Sequence, residues 1–214
     1  MAHRSSVLLC VLIIATVLIL IFNYFRKISV IKRQLEHSPP KKIVEFEDGE
    51  IGAVSGSIQL HAPTLFSSLT KQECAYYSVS VRSLAGLKGR HYIPLMTLEK
   101  EGNSFLITDG TGYALVQMQS AECHFQPDGE YQYSMYKSRK IPLRDYFEKY
   151  KHRFEKHNEI TPGMIFEEVV LSKDRKVTVY GRATRHSSAS LGLSLPVDQV
   201  LVFATHADEQ LYLF

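Results

Sequence analysis

From Val7 to Phe22 every residue is apolar or small (VLLCVLIIATVLILIF), and Asn23, Tyr24 and Phe25 carry the run to the cations Arg26 and Lys27. An uncharged stretch of this length constrains the chain more than any other segment, because water will not hold it. At helical rise, residues 7–25 extend about 28 Å, close to the roughly 30 Å hydrocarbon core of a bilayer. Backbone amides in lipid find partners only within their own segment, so a transmembrane helix is expected. Tyr24, Phe25 and Arg26 stand where interfacial aromatics and a cationic anchor belong. A cleaved signal peptide has a shorter apolar core followed by small residues, whereas this run ends in Phe-Asn-Tyr-Phe-Arg-Lys. Residues 1–25 therefore read as an uncleaved signal anchor.

Charge is unevenly spread along the chain. Residues 1–42 hold seven basic side chains and one acidic, while residues 43–214 hold 18 basic and 21 acidic. Arg26, Lys27, Lys32, Arg33, Lys41 and Lys42 all lie after the span, which places the body of a single-pass membrane protein on the cytosolic side. The same cations suit anionic lipid headgroups, so the bilayer is the first expected partner. Residues 26–42 form a basic juxtamembrane spacer that stiffens at Ser38-Pro39-Pro40. A mildly acidic body lacks the basic face that nucleic acid requires, and no nucleic-acid partner is expected.

Beyond residue 50 the chain reads as mainly β (α+β). Strand patterns cover Ala53–Leu60, Ala75–Val81, Ile93–Leu98, Ser104–Thr108, Tyr113–Met118, Ile165–Leu171, Lys176–Gly181, Val200–Ala204 and Gln210–Phe214. Asp109-Gly110-Thr111-Gly112 between two apolar runs is a hairpin signal. One segment departs from the pattern. Leu143, Tyr146, Phe147, Tyr150 and Phe154 share one helical face, so an amphipathic helix near 143–154 is expected. Its other face is basic, and residues 137–156 carry eight basic and three acidic side chains. With the nearby Tyr136, the cations Arg144, Lys149, Lys151 and Arg153 form the candidate contact surface for a membrane or an acidic partner. Ser187–Ser194 reads as a flexible loop by composition.

Chemistry is harder to find. The nine histidines show none of the usual metal-ligand spacings, the three cysteines have no catalytic signature, and phosphate-binding loops are absent. Neither a metal nor a cofactor is expected. Glu167 and Glu168 are adjacent on a strand and so point to opposite faces, which prevents them from sharing a site. Asp109 reads as a turn residue whose carboxylate caps backbone amides, the alternative being a cryptic hydrolase that uses Asp109 or a histidine.

The order of several short motifs carries a resemblance. Val54-Ser55-Gly56-Ser57, Leu60-His61-Ala62-Pro63 and Glu73-Cys74-Ala75-Tyr76-Tyr77 are followed by Phe105 through Val116, then by Phe166 through Leu171 and by Val177 through Ala183. Over roughly 48–185 this succession resembles the GIDE-type, or "beside a membrane", domain of mitochondrial RING-type E3 ubiquitin ligases. It implies a membrane-adjacent β-rich domain over 43–214 that binds partners. Gly56, Pro63, Cys74, Tyr77, Asp109, Gly112, Glu168 and Gly181 match the motifs and carry structural readings. The ligases continue into a second membrane span and a RING with eight zinc ligands. Here the residues after 185 offer only His186 and His206, with no cysteine and no second apolar span. No catalytic or E2-recruiting residue carries over. The expectation is a non-catalytic interaction or scaffold module with an unidentified protein partner, not an enzyme by itself. The alternative is a component of a RING-type ubiquitin-ligase system.

Overall fold

The computed structural model describes residues 14–16, 18–19, 29–30, 33, 39–61, 63–84, 92–132, 146, 149–150, 164–205 and 210–214. The chain divides into two compact units, Met1–Pro40 and Lys41–Phe214. In the first, Ile14–Thr16, Leu18, Ile19, Ser29, Val30 and Arg33 are helical, and most of the expected span lies outside the described residues. Among the described residues no helix is long and apolar enough to cross a membrane.

The second unit is mainly β. In chain order its strands are β1 (Ile51–Gln59), β2 (Leu65–Phe66), β3 (Glu73–Cys74), β4 (Tyr76–Leu84), β5 (Tyr92–Gly102), β6 (Phe105–Thr108) and β7 (Tyr113–Val116). They continue with β8 (Glu122–Cys123), β9 (Gly129–Gln132), β10 (Met164–Leu171), β11 (Lys176–Ser187), β12 (Gln199–Phe203) and β13 (Tyr212–Leu213). Five of them close into a small barrel in the order β1-β6-β7-β12-β11, with β11 pairing back onto β1. The pairs are antiparallel except β7 with β12, which run parallel. β13 and β8 extend the sheet beyond β11.

Side-chain patterns account for the barrel. Along β1 and β11 the buried positions Val54, Gly56, Ile58, Val177, Val179, Gly181 and Ala183 alternate with partly exposed ones, as half-buried strands should. On their outer surface Ser55 and Thr178 hydroxyls meet at 2.6 Å. β6, β7 and β12 are instead apolar on both faces. Phe105, Ile107, Ala114, Val116, Leu201 and Phe203 fill the barrel interior. Leu106, Leu115, Val200 and Val202 form a second cluster on the outside.

Both long connections of the barrel are insertions that fold together. β2–β5 lie between β1 and β6, and β8–β10 lie between β7 and β11. From these, β5, β4, β10 and β9 assemble one antiparallel sheet in that order. One face of it carries Tyr77, Val79, Val81, Phe166 and Val170 in a core separate from that of the barrel. At its end Tyr76 and Leu171 enter the barrel core. β5 is an edge strand, interrupted by Pro94 and by register shifts against β4, features that discourage pairing with another chain.

Candidate functional site

Of the predicted contact residues, Lys149 lies within the described residues, and Tyr136, Arg144, Lys151 and Arg153 lie outside them. Tyr146, Lys149 and Tyr150 are helical, as the 3.6-residue period requires. Tyr146 and Tyr150 are 6% and 8% exposed, whereas the Lys149 side chain is 59% exposed. Spacing of i and i+4 stacks the two tyrosines on one face, their ring centroids 4.8 Å apart. Tyr146 also meets Phe166 of β10 edge-on at 6.2 Å. The Lys149 ammonium sits 5.0 Å over the Tyr150 ring and 3.4 Å from Glu99.

Glu99 organises this region. Its Oε2 accepts from Ser68 Oγ at 2.6 Å and from the Tyr146 hydroxyl at 3.2 Å. The Tyr77 hydroxyl lies 2.9 Å from Glu99 Oε1 and 3.0 Å from Glu101 Oε2, placing one phenolic hydrogen between two carboxylates. Burial alone would raise the Glu99 carboxyl. Hydrogen bonds from Ser68, Tyr150 and Tyr77, with the Lys149 charge, outweigh it and hold Glu99 below its ordinary range. Burial, reinforced by Glu99, pushes the Tyr77 and Tyr146 phenols up, so both stay neutral donors. Glu99, ringed by neutral hydroxyls, ties Tyr146 to the sheet. The sequence reading did not single out Glu99 and Glu101. The available signal was Glu99-Lys100-Glu101, whose strand period sets both carboxylates on one face.

Several of the motif positions named above make structural contacts. Asp109 Oδ1 accepts from Thr111 N (2.8 Å), Thr111 Oγ1 (2.7 Å) and Gly112 N (3.2 Å), and Oδ2 accepts from Ile43 N at 2.8 Å. Gly110 supplies the left-handed step of the turn, with φ +85°. A Cβ on Gly112 would stand 2.8 Å from Ile43 Cγ2, so the missing side chain makes room for that packing. The hairpin thereby holds residues 41–50 as a strap on the barrel. Ile43 and Phe46 of the strap are buried, Phe46 packing edge-on against Phe203. Arg185 covers its carbonyls, reaching Val44 O at 3.1 Å and Phe46 O at 2.6 Å.

Asp109 carries a pH dependence of known sign. Burial would raise its carboxyl, but the Ile43, Thr111 and Gly112 donors hold it below its ordinary value. A depressed carboxylate stabilises the fold above the unfolded pKa and loses that contribution as pH falls through the folded one. The protection of strap amides 43–46, measured against the intrinsic exchange rate at the same pH, is therefore expected to fall once pH drops below the usual carboxylate range. Asp109→Ala should reproduce this at neutral pH, lowering stability by about 1–3 kcal/mol. Hydrogen exchange unchanged in the variant would show that the strap does not depend on Asp109.

Glu168 is 1% exposed on β10. Its carboxylate accepts from Leu69 N at 2.8 Å and Thr70 Oγ1 at 2.7 Å, pinning the turn between β2 and β3. Glu167, on the opposite face, pairs with Arg82 at 2.7 Å. Pro63 O accepts from the Asn103 amide at 2.8 Å. Cys74 is fully buried. Burial, with Glu168 nearby, pushes its thiol up to about 11, so it is protonated and unreactive at neutral pH. An open cleft of about 510 Å³ runs past Gln72, Asp128, Lys173 and Arg175, where Asp128 and Arg175 pair with each other. Among the described residues no group of three or more His, Cys, Asp or Glu is placed to hold a metal ion. No protein-family model, no curated protein and no solved structure matches the chain.

Proposed function

We propose that this chain is a membrane-anchored, GIDE-like interaction module that presents a basic helix surface to a protein partner beside the bilayer. The observation that carries the reading is the placement of Tyr146, Lys149 and Tyr150, which are helical. Tyr146 and Tyr150 are buried against the four-stranded sheet while the Lys149 side chain is 59% exposed, and the sequence pattern is expected to add Arg144, Lys151 and Arg153 to the basic surface. The shielded carboxylates support it as well. Asp109, Glu99 and Glu168 are each engaged by donors of the fold itself, which is the arrangement of a scaffold. The apolar run at 7–25 and the basic spacer at 26–42 supply the anchor and set the reach. The motif order also supports a second reading, a subunit that pairs with a RING-bearing protein.

Charge reversal tests the contact surface. Full-length chain is crosslinked in native membranes and captured, alongside Arg144→Glu/Lys151→Glu/Arg153→Glu, which spares the Lys149–Glu99 pair. A stoichiometric partner should fall several-fold in the variant, more at low ionic strength than at high, with the far-ultraviolet circular dichroism unchanged. Equal recovery of that partner by both proteins would remove the helix from the interface. A RING protein as the captured partner would favour the second reading.

A further inference from the structure

The open cleft beside Arg175 holds about 510 Å³, within the range of small-ligand sites. Gln72 from the β2–β3 turn and Asp128 ahead of β9 line it, together with the turn at 172–175 that joins β10 to β11. That turn is clamped to the barrel. Ile58 of β1 donates its N–H to Arg175 O and accepts from Asp174 N, both at 2.9 Å, and Arg175 N returns to Ser172 O at 3.3 Å. Asp174 takes a left-handed step at φ +64°, which aspartate tolerates better than most side chains. Backbone bonds to β1 therefore fix this wall without using its side chains.

Arg175 is held on three sides. Its Nη1 donates to Asp128 Oδ2 and, at 2.6 Å, to Val170 O, while the guanidinium lies 5.3 Å over the Phe125 ring. Asp128 is fixed in turn, its Oδ2 accepting from Val170 N at 2.7 Å. These contacts occupy one nitrogen and one face of the guanidinium. Among the described residues the hydrogens on Nε and Nη2 have no partner, and two parallel N–H groups of that kind match both oxygens of a carboxylate. Gln72, Ser172, Lys173 and Asp174 are also uncommitted. Among the described residues none of their side chains makes a hydrogen bond or an ion pair. The cleft thus offers a ligand an oriented fork, an ammonium, a hydroxyl, an amide and a carboxylate.

Charge selects among ligands. Lys173 and Arg175 are balanced by Asp128 and Asp174, so the wall carries no net charge to draw in a phosphate dianion or a bare metal cation. A ligand that carries both signs meets a partner for each. We propose that this cleft binds a zwitterion of dipeptide size, with its carboxylate on Arg175 and Lys173 and its ammonium on Asp174. Ser172 and Gln72 supply a hydroxyl and an amide for the peptide group between the two ends. The site shares no residue with the helix surface proposed above, so either proposal can fail without the other.

The test titrates full-length chain in phosphatidylcholine nanodiscs and follows the amide resonances of residues 172–175. L-Alanyl-L-alanine should shift them along a saturating curve. Its C-terminal amide, which has no carboxylate, should bind at least about tenfold more weakly, and its N-acetyl form several-fold more weakly. Lys173→Gln should weaken the dipeptide several-fold. Asp174→Asn should remove the difference between free and N-acetylated dipeptide, because asparagine keeps the left-handed turn and loses the charge. Neither replaced side chain has a partner among the described residues, so both variants should keep the thermal midpoint of the parent. Shifts that rise without saturation, equal affinity for the amidated dipeptide, or tighter binding of inorganic phosphate or phosphoethanolamine overturn the proposal. So does an Asp174→Asn variant that still discriminates against the N-acetyl form.

Discussion

Glu168→Ala lowers the stability of the folded chain by about 3–5 kcal/mol, whereas Glu168→Gln costs only about 1 kcal/mol. The difference lies in the groups each substitution leaves behind. Alanine removes both acceptors from a buried site and strands the Leu69 amide, whose residue is 2% exposed, with no carboxylate to take its hydrogen. It also empties the volume of a side chain that is 1% exposed, which adds a cavity term. Glutamine keeps a carbonyl for the Leu69 amide and turns its amide toward the Thr70 hydroxyl, which can accept as well as donate. Thr70 also bonds Ser67 Oγ at 2.8 Å, so its hydroxyl has a second partner in either variant. Thermal unfolding followed by circular dichroism should show a midpoint lower by roughly 10 °C for alanine and by a few degrees for glutamine. Equal losses for both variants would mean that net charge at this site, and not its acceptor geometry, holds the turn between β2 and β3.

How much of this was legible in the sequence depends on how local the determining chemistry is. The turn at Asp109–Gly112 was readable because an Asx carboxylate and two glycines act within four residues. Phe105-Leu106-Ile107 and Ala114-Leu115-Val116 announced strands, but a continuous apolar run looks the same whether its second face meets a sheet, a helix or a loop. That ambiguity hid the packing of the loop residues Leu191, Leu193 and Leu195 on the outer face of β6, β7 and β12. Ser187–Ser194 reads as flexible because serine and glycine dominate it, and the leucines at every second position lack the β-branched neighbours that mark a strand. In the structure β11 continues through Ser187 and the leucines beyond it are packed. Ladder bonds carry no side-chain signature, so the pairing of Gly56 with Val177, far along the chain, was out of reach. So were β2, β3, β8 and β9, which are too short to show a period. Alternation placed Glu167 and Glu168 on opposite faces without saying which was inside. The carboxylate that became buried is the one facing the turn donors of Leu69 and Thr70.

Gly56→Ala should be the most damaging single methyl group that can be added to the barrel, destabilising it by about 2–4 kcal/mol. A Cβ at this position would lie 2.8 Å from Thr108 O, 3.0 Å from Thr108 C and 3.2 Å from Thr108 N. All three are backbone atoms, so no rotamer change can relieve the clash. Thr108 cannot retreat alone, because its hydroxyl donates to Gly112 O at 2.7 Å and accepts from Gly110 N at 3.2 Å. Displacing it disturbs the hairpin that carries Asp109, and with it the bond to Ile43 that secures the strap. Gly181→Ala is the matched control on the neighbouring strand of the same barrel. Its nearest contact is a Leu211 methyl at 2.9 Å, and backbone comes no closer than 3.7 Å. A side-chain terminus can turn aside, and alanine also restricts the unfolded chain, so the cost there should stay under about 1 kcal/mol. Denaturant unfolding of the two variants gives the comparison directly, and hydrogen exchange at residues 43–46 should rise in Gly56→Ala and remain low in Gly181→Ala. Equal stabilities would mean that β1 and β6 adjust their separation freely, and the close approach at Gly56 would then have no part in closing the barrel or in holding the strap against it.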